Sequence, residues 1–413
     1  MQIKSTLTRL ILGMTVLLAA CSTPNAATAI APTSITLPPT QVPTATQPPK
    51  PNEYIVVAQL NLWYFGKGCY GGFEAFDCSG KRSTPLTPAL GATYTSSDPK
   101  VLQQQIDWAA QNGVDAFSLE WTTPREISGS LETNIDDAFL KAPNLNKIRW
   151  CIFYDFILRL GQTPDLKSVN YSNGLNFDDP KVYNTFVDDM VHFAKKYYSQ
   201  PQYLKIDGRP VIYLWSTWSW KGKYAEAVAE ARQKVKAEGY DVFFVADSVW
   251  ANQFDKKLAS QFDADSTFTF LIPGLKWNWK NVQAASVDVD KTYKVWTDRT
   301  KGLTVAGRTD AVNFQPSFTP QFDNRLFDPN NSIYVPAESK DQVIAAADVA
   351  AKYAQPVGSQ NWKLVWLNTW NNWAETTTIE PTIDSGPKYP AGNYQFDMLD
   401  IVKQVFGAET FGQ

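Results

Sequence analysis

From residue 54 onward, short apolar runs alternate with longer amphipathic stretches, and eight runs can be counted. They are YIVVAQLNLWYF (54–65), VDAFSLEW (114–121), IRWCIFYDF (148–156), PVIYLWSTW (210–218), VFFVADSVW (242–250), DADSTFTFL (263–271), a seventh within 304–318, and KLVWLNTW (363–370). Runs this short, rich in Val, Ile, Phe and Trp, read as buried parallel strands. The stretches between them carry helix signals. In 96–113, Ser97 or Asp98 can cap a helix, Pro99 suits its first turn, and Gly113 can end it. Further helices are expected at 131–142, from Asp179-Pro180 to about Tyr198, and at 222–238, 289–301, 337–354 and 393–406. Eight strands alternating with helices predict an α/β protein built as a (β/α)8 TIM barrel over residues 53–413. An open doubly wound sheet is the competitor, and no Gly-rich phosphate loop follows the first strand to support it.

The segment ahead of the barrel has a different composition. Lys4 and Arg9 precede an apolar run from Leu10 to Ala20, which ends Leu18-Ala19-Ala20-Cys21. Eleven apolar residues are too few to span a bilayer, which takes about 20, and suit a signal peptide covering 1–20. The ending resembles the lipobox of bacterial lipoproteins, with Cys21 as the lipidated residue. An ordinary secretory signal with a chance cysteine is the alternative. Residues 21–52 are rich in Thr, Pro and Ala and bury too little to order themselves, so they read as a disordered spacer. The expected location is the bacterial cell surface or the periplasmic side of a membrane, held by lipid on Cys21.

Cys69 and Cys78 bracket a glycine-containing loop, and in an oxidising compartment they are expected to form a disulfide. Cys151 lies in an apolar run and is expected to be a buried free thiol. His192 is the single histidine and falls on a helix, so a Ser-His-Asp triad has little to stand on. No Cys/His spacing fits zinc, no metal or other cofactor is expected, and the oligomeric state has no sequence handle. The formal charge is −3, becoming −5 without Lys4 and Arg9, and no basic cluster points to nucleic acid.

In a TIM barrel the site is built at the C-terminal ends of the strands. Those positions hold Asn61, Trp63 and Tyr64; Glu120 and Trp121; Asp155; Trp215 and Trp218; Asp247 and Trp250; and Asn368, Trp370, Asn372, Trp373 and Glu375. Carboxylates, amides and indoles together suit sugar hydrolysis, in which one acid protonates the leaving oxygen and a second carboxylate serves as base or nucleophile.

The stretch from Trp370 to Pro381, WNNWAETTTIEP, resembles the signature W/F-N-E-W-x-E-G-x-x-I/L-E-P of the endo-α-mannosidase and endomannanase family of glycoside hydrolases and the related WbsX-like proteins. YTSSDPKVLQQQIDWAAQNGVDAF, LKIDGRPVIYLW and AVNFQPSFTPQFDNR resemble other segments of that superfamily, so the likeness spans most of 54–382. The wider group also includes α-1,3-glucanase-like hydrolases. The resemblance implies a glycan substrate and places the general acid/base on Glu375. Glu380 matches a late Glu of the motif. Two positions depart from the pattern. Asn372 stands where the motif has the Glu that deprotonates a sugar 2-hydroxyl, and an amide cannot take that proton. Thr376 replaces the motif Gly. A hydrolase would then need another carboxylate, with Glu120, Asp155 and Asp247 as candidates. It could also keep the acid alone and act on a related linkage by another route. A carbohydrate-binding lipoprotein without turnover is the alternative function.

Overall fold

A computed structural model of the chain describes residues 53–64, 82–166, 169, 174–383, 388–390 and 392–407. The signal peptide, the spacer, Cys21 and the Cys69–Cys78 pair lie outside the described residues. The strands are β1 Tyr54–Leu60, β2 Ala116–Trp121, β3 Arg149–Tyr154, β4 Arg209–Leu214, β5 Phe243–Asp247 and β6 Ala264–Ser266. The seventh, β7, comes in two pieces, Asn313–Phe314 and Ser317–Phe318, and β8 is Trp362–Leu367. Each pairs in parallel with the next, and β8 pairs with β1 from Tyr54↔Lys363 to Ala58↔Leu367. The fold is the expected (β/α)8 barrel.

The ring closes through the broken strand. Asn313–Phe314 pairs with β6, and Ser317–Phe318 pairs with β8. Pro316 falls in the gap, where its missing N–H breaks a regular ladder. Gln315 bridges the gap with its side chain. Its Oε1 accepts from the Leu364 amide at 2.9 Å, and its Nε2 donates to the Gln355 carbonyl at 2.8 Å.

The helices are α1 Pro99–Gln111, α2 Leu131–Asp137, α3 Phe156–Gln162, α4 Pro180–Lys196, α5 Tyr224–Ala237, α6 Lys256–Ala259, α7 Val282–Thr300, α8 Lys340–Tyr353 and α9 Asp397–Phe406. Asp98 caps α1, and Pro99 occupies its first turn. Two helix readings are corrected. Helix α7 starts at Val282 rather than near 289, because the Asn281 side chain accepts from the Ala284 amide and caps it there. Helix α3 was not anticipated: the Asp155 side chain accepts from the Leu158 amide and starts it directly after β3. The polar turn before β4 is a tight hairpin, with Asp207 and Gly208 both at positive φ. Among the described residues, no helix is long and apolar enough to cross a membrane.

Candidate active site

Strand pleating sorts the side chains at the barrel mouth, because successive residues face opposite sides. On β2, Glu120 faces the barrel interior, where its Oε2 accepts from Gln59 Nε2 at 3.3 Å. Trp121 faces the helices. Its ring packs edge-on to Phe193 at 4.7 Å, and its indole N–H donates to Glu132 at 3.1 Å. Glu132, wholly buried, also takes the Arg125 amide, the Tyr197 hydroxyl and Lys196, and sits 2.6 Å from His192 Nε2. Its burial, which favours protonation, is outweighed by His192 and these donors, so its pKa falls to about 2. His192 is thus a structural residue joining α2 to α4.

The loop after β8 folds back on itself. The Trp370 amide donates to the Gln59 carbonyl at 2.7 Å, and the Glu380 amide donates to the Trp370 carbonyl at 2.8 Å. Trp370 is buried and packs edge-on to Phe117. Asn371 anchors the loop to the end of β1. Its amide accepts from the Asn61 N–H and donates to the Asn61 carbonyl. The Tyr64 hydroxyl donates to the Asn371 carbonyl. Tyr94 is a hub: its hydroxyl donates to Glu380 at 2.9 Å and receives Asn371 Nδ2 and the Trp373 indole N–H. Glu380 also accepts from Gln105 at 3.1 Å, and burial pushes its pKa up to about 8. Glu380 therefore supports the loop from beneath. The peptide bond Asn368–Thr369 is cis.

Within this loop Asn372 and Glu375 bind each other twice. Asn372 Nδ2 donates to Glu375 Oε2 at 2.8 Å, and the Glu375 amide donates to Asn372 Oδ1 at 3.3 Å. Thr369 Oγ1 accepts from the Asn372 amide at 2.7 Å and fixes the pair. Thr376, at the motif's Gly position, keeps the left-handed conformation a glycine would take, with φ +53°. Glu375 keeps partial exposure, whereas Glu120, Asp155, Asp247 and Glu380 are at most 3 % exposed.

Their electrostatics follow from that burial. Desolvation raises Glu375 to about 7, offset in part by the bond from Asn372. Glu120 is raised well above the usual carboxylate range, first by burial and then by Asp155, with Gln59 opposing and Glu375 adding repulsion. Asp155 is raised to about 7 by burial, against the amides of Leu158 and Ile157. Three carboxylates from β2, β3 and β8 thus share one field. Asp247 is also raised to about 7 by burial. It clamps the neighbouring loops, taking the amides of Ser216 at 3.0 Å and Phe268 at 2.9 Å, and the indole of Trp218.

Among the described residues, buried polar atoms at the mouth without a partner include Gln59 Oε1, Asn61 Nδ2, Glu120 Oε1, Thr319 Oγ1, Gln321 Nε2 and Asn368 Nδ2. Buried polar groups are ordinarily satisfied, so these atoms are where a polar ligand or water would find partners. Of the expected indoles, Trp63 and Trp215 are 5 % and 4 % exposed, Trp121 is fully buried, and Trp370 and Trp373 are at most 1 % exposed. Trp218 and Trp250 are partly open and meet at 5.6 Å. Cys151 is a buried free thiol. Among the described residues, no group of three or more His, Cys, Asp or Glu is gathered as a metal ligand set. Sequence reasoning missed Gln59, Tyr94, Thr319 and Gln321. Only Gln59 carried a signal, as a lone polar residue inside the apolar run YIVVAQL.

Comparison with known proteins agrees with the barrel fold. The profile of a family described as Glycosyltransferase WbsX matches residues 180–391. Among solved structures, a glycoside hydrolase-like protein is similar with TM-score 0.63 at 18% identity, covering 88% of this chain and 98% of its own. The GH99 endo-alpha-mannosidase from Bacteroides thetaiotaomicron is similar with TM-score 0.56 at 13% identity, covering 85% and 95%. The same mannosidase in complex with BIS-TRIS-propane gives 0.55 at 14%, covering 85% and 95%. At these identities the likeness is one of fold. No curated protein matches the chain.

Proposed function

The chain belongs to the family described as Glycosyltransferase WbsX, and from that footing we propose that it hydrolyses an α-linked polysaccharide or oligosaccharide, mannan-like or α-glucan, with Glu375 as general acid/base. One observation carries this reading. Glu375, partly open and titrating at about 7, shares its electrostatic field with buried Glu120, which has an unpartnered oxygen. The two titrate as a unit, and the reaction uses the state in which Glu375 holds the proton and Glu120 does not. Glu375 gives its proton to the leaving glycosidic oxygen as the bond to the anomeric carbon breaks. Glu120, with Asp155 beside it, takes the proton of the attacking water. A sugar hydroxyl in place of that water would give transfer, the reaction the family description names. Asn372 holds Glu375 and takes no proton.

The second reading is glycan binding without turnover, and Asn372 at the motif's Glu position favours it. Incubating the full chain with α-mannan, α-1,3-glucan and a panel of β-glucans separates the two. Products are expected with an α-linked polymer and should fall at least ~100-fold in both Glu375→Gln and Glu120→Gln. Unchanged products in Glu375→Gln would sink its role, and binding without products moves the function to the second reading. The N-terminal pattern supports a lipid on Cys21 and a site outside the cytoplasm. Cys21→Ser should release the protein from the membrane fraction of expressing cells.

A further inference from the structure

Resting on the hydrolase or binding reading above, we propose that the loops after β4, β5 and β6 form an aromatic platform for sugar units distal to the bond at Glu375, centred on Trp218 and Trp250. The indoles divide by side of the barrel. On the β1, β2 and β8 side, Trp63, Trp121, Trp370 and Trp373 are enclosed at 5 % exposure or less. They brace the loops and offer little ring face to a ligand. Across the mouth, Trp218, Trp250, Trp277 and Trp279 all keep part of their surface open. Among the described indoles of the mouth, the open ring faces therefore lie on the β4, β5 and β6 side.

The platform is built rather than incidental. Trp218 and Trp250 meet edge to face at 68°. The Trp218 indole N–H is held by Asp247, the same carboxylate that takes the backbone of the loops after β4 and β6. The Trp250 ring is pressed by the loop after β6. At Gly274, φ +90°, an added Cβ would lie 2.6 Å from Trp250 Nε1, so only glycine lets the backbone approach the indole this closely. The Ala251 amide donates to the Pro273 carbonyl at 2.9 Å, and Asn252 Nδ2 donates to the Gly274 carbonyl at 3.0 Å, which locks that approach. The two residues before Trp218 in its loop carry buried hydroxyls without partners, Ser216 Oγ and Thr217 Oγ1. Rings for C–H faces and unpartnered hydroxyls are the chemistry a pyranose chain requires.

The test measures binding, so it does not depend on turnover. In the full chain carrying Glu375→Gln, calorimetry follows affinity for α-mannan and α-1,3-glucan fragments graded by length. Affinity should rise with length. Adding Trp218→Ala or Trp250→Ala should erase that rise and weaken the longest fragments about tenfold, or ~1.4 kcal/mol. Trp218→Phe should restore most of it, which separates a lost ring from a damaged fold. Gly274→Ala, by displacing the Trp250 indole, should behave like Trp250→Ala. A rise with length that survives both alanine variants overturns the proposal, as does a parent protein whose affinity does not change with length. Loss of hydrolysis in the unmodified chain would overturn the catalytic reading alone.

Discussion

At the scale of single residues, the site turns on how Asn372 and Glu375 divide one small space. The amide donates to the carboxylate and holds its proton affinity below what burial alone would give. As the acid, Glu375 must be protonated, so turnover should decline as pH rises through about 7. An acidic side chain at 372 would replace a donor with a like charge and raise the Glu375 pKa. Asn372→Asp should therefore move the alkaline limb of the pH–rate profile upward, measured as kcat/KM against pH. An unmoved limb would detach Glu375 from the acid role. Thr376 lies one residue on, fully buried in a left-handed conformation with its hydroxyl unpartnered. A β-branched residue there is strained. Relief of that strain and of the orphan hydroxyl outweighs the lost methyl burial and the added freedom of an unfolded glycine. Thr376→Gly should raise the unfolding free energy by about 1 kcal/mol in urea titration.

At the scale of elements, much of the barrel was legible and the reasons are local. Most strand candidates were short apolar runs, and Asp98-Pro99 announced α1. Asn281 looked like any loop asparagine, because what makes it a cap is the neighbouring backbone; it also donates to Glu338 near the start of α8. Asp155 was legible as a carboxylate at a strand end but not as a cap, since one oxygen serves α3 while the side chain stays beside Glu120. Glu132 was invisible as a hub, because its partners lie up to 65 positions away in sequence. That hub joins α2 to α4. Glu132→Gln should destabilise the protein by about 3 kcal/mol, because a buried carboxylate that accepts from Trp121, Tyr197 and the Arg125 amide and pairs with Lys196 is lost. The midpoint of chemical unfolding checks it.

For the molecule as a whole, burial of carboxylates sets the response to pH. Folding raises Glu380 from 4.5 to about 8, and Asp155 and Asp247 from 3.8 to about 7. Their contribution is fully present below the unfolded values and is lost as pH rises through the folded ones. Glu132, lowered to about 2, contributes in the opposite sense and is lost only in strong acid. Between these limits the folded chain binds more protons than the unfolded chain, so stability should fall with pH. Unfolding midpoints should be lower at about pH 8.5 than at about pH 5.5. Barrel closure was legible as eight strands, but its path through a broken β7 was not, since the two pairings on either side of Pro316 and the Gln315 bridge form only when the ends meet.

That bridge has a consequence for reading related chains. The planar amide of Gln315 presents an acceptor to Leu364 and a donor to Gln355. Glutamate lacks the donor, methionine lacks both, and asparagine is shorter by one carbon–carbon bond. The dipeptide Gln315-Pro316 is therefore a spelling of the joint itself. Where a relative writes the same pair within its seventh strand, its ring should close by the same joint.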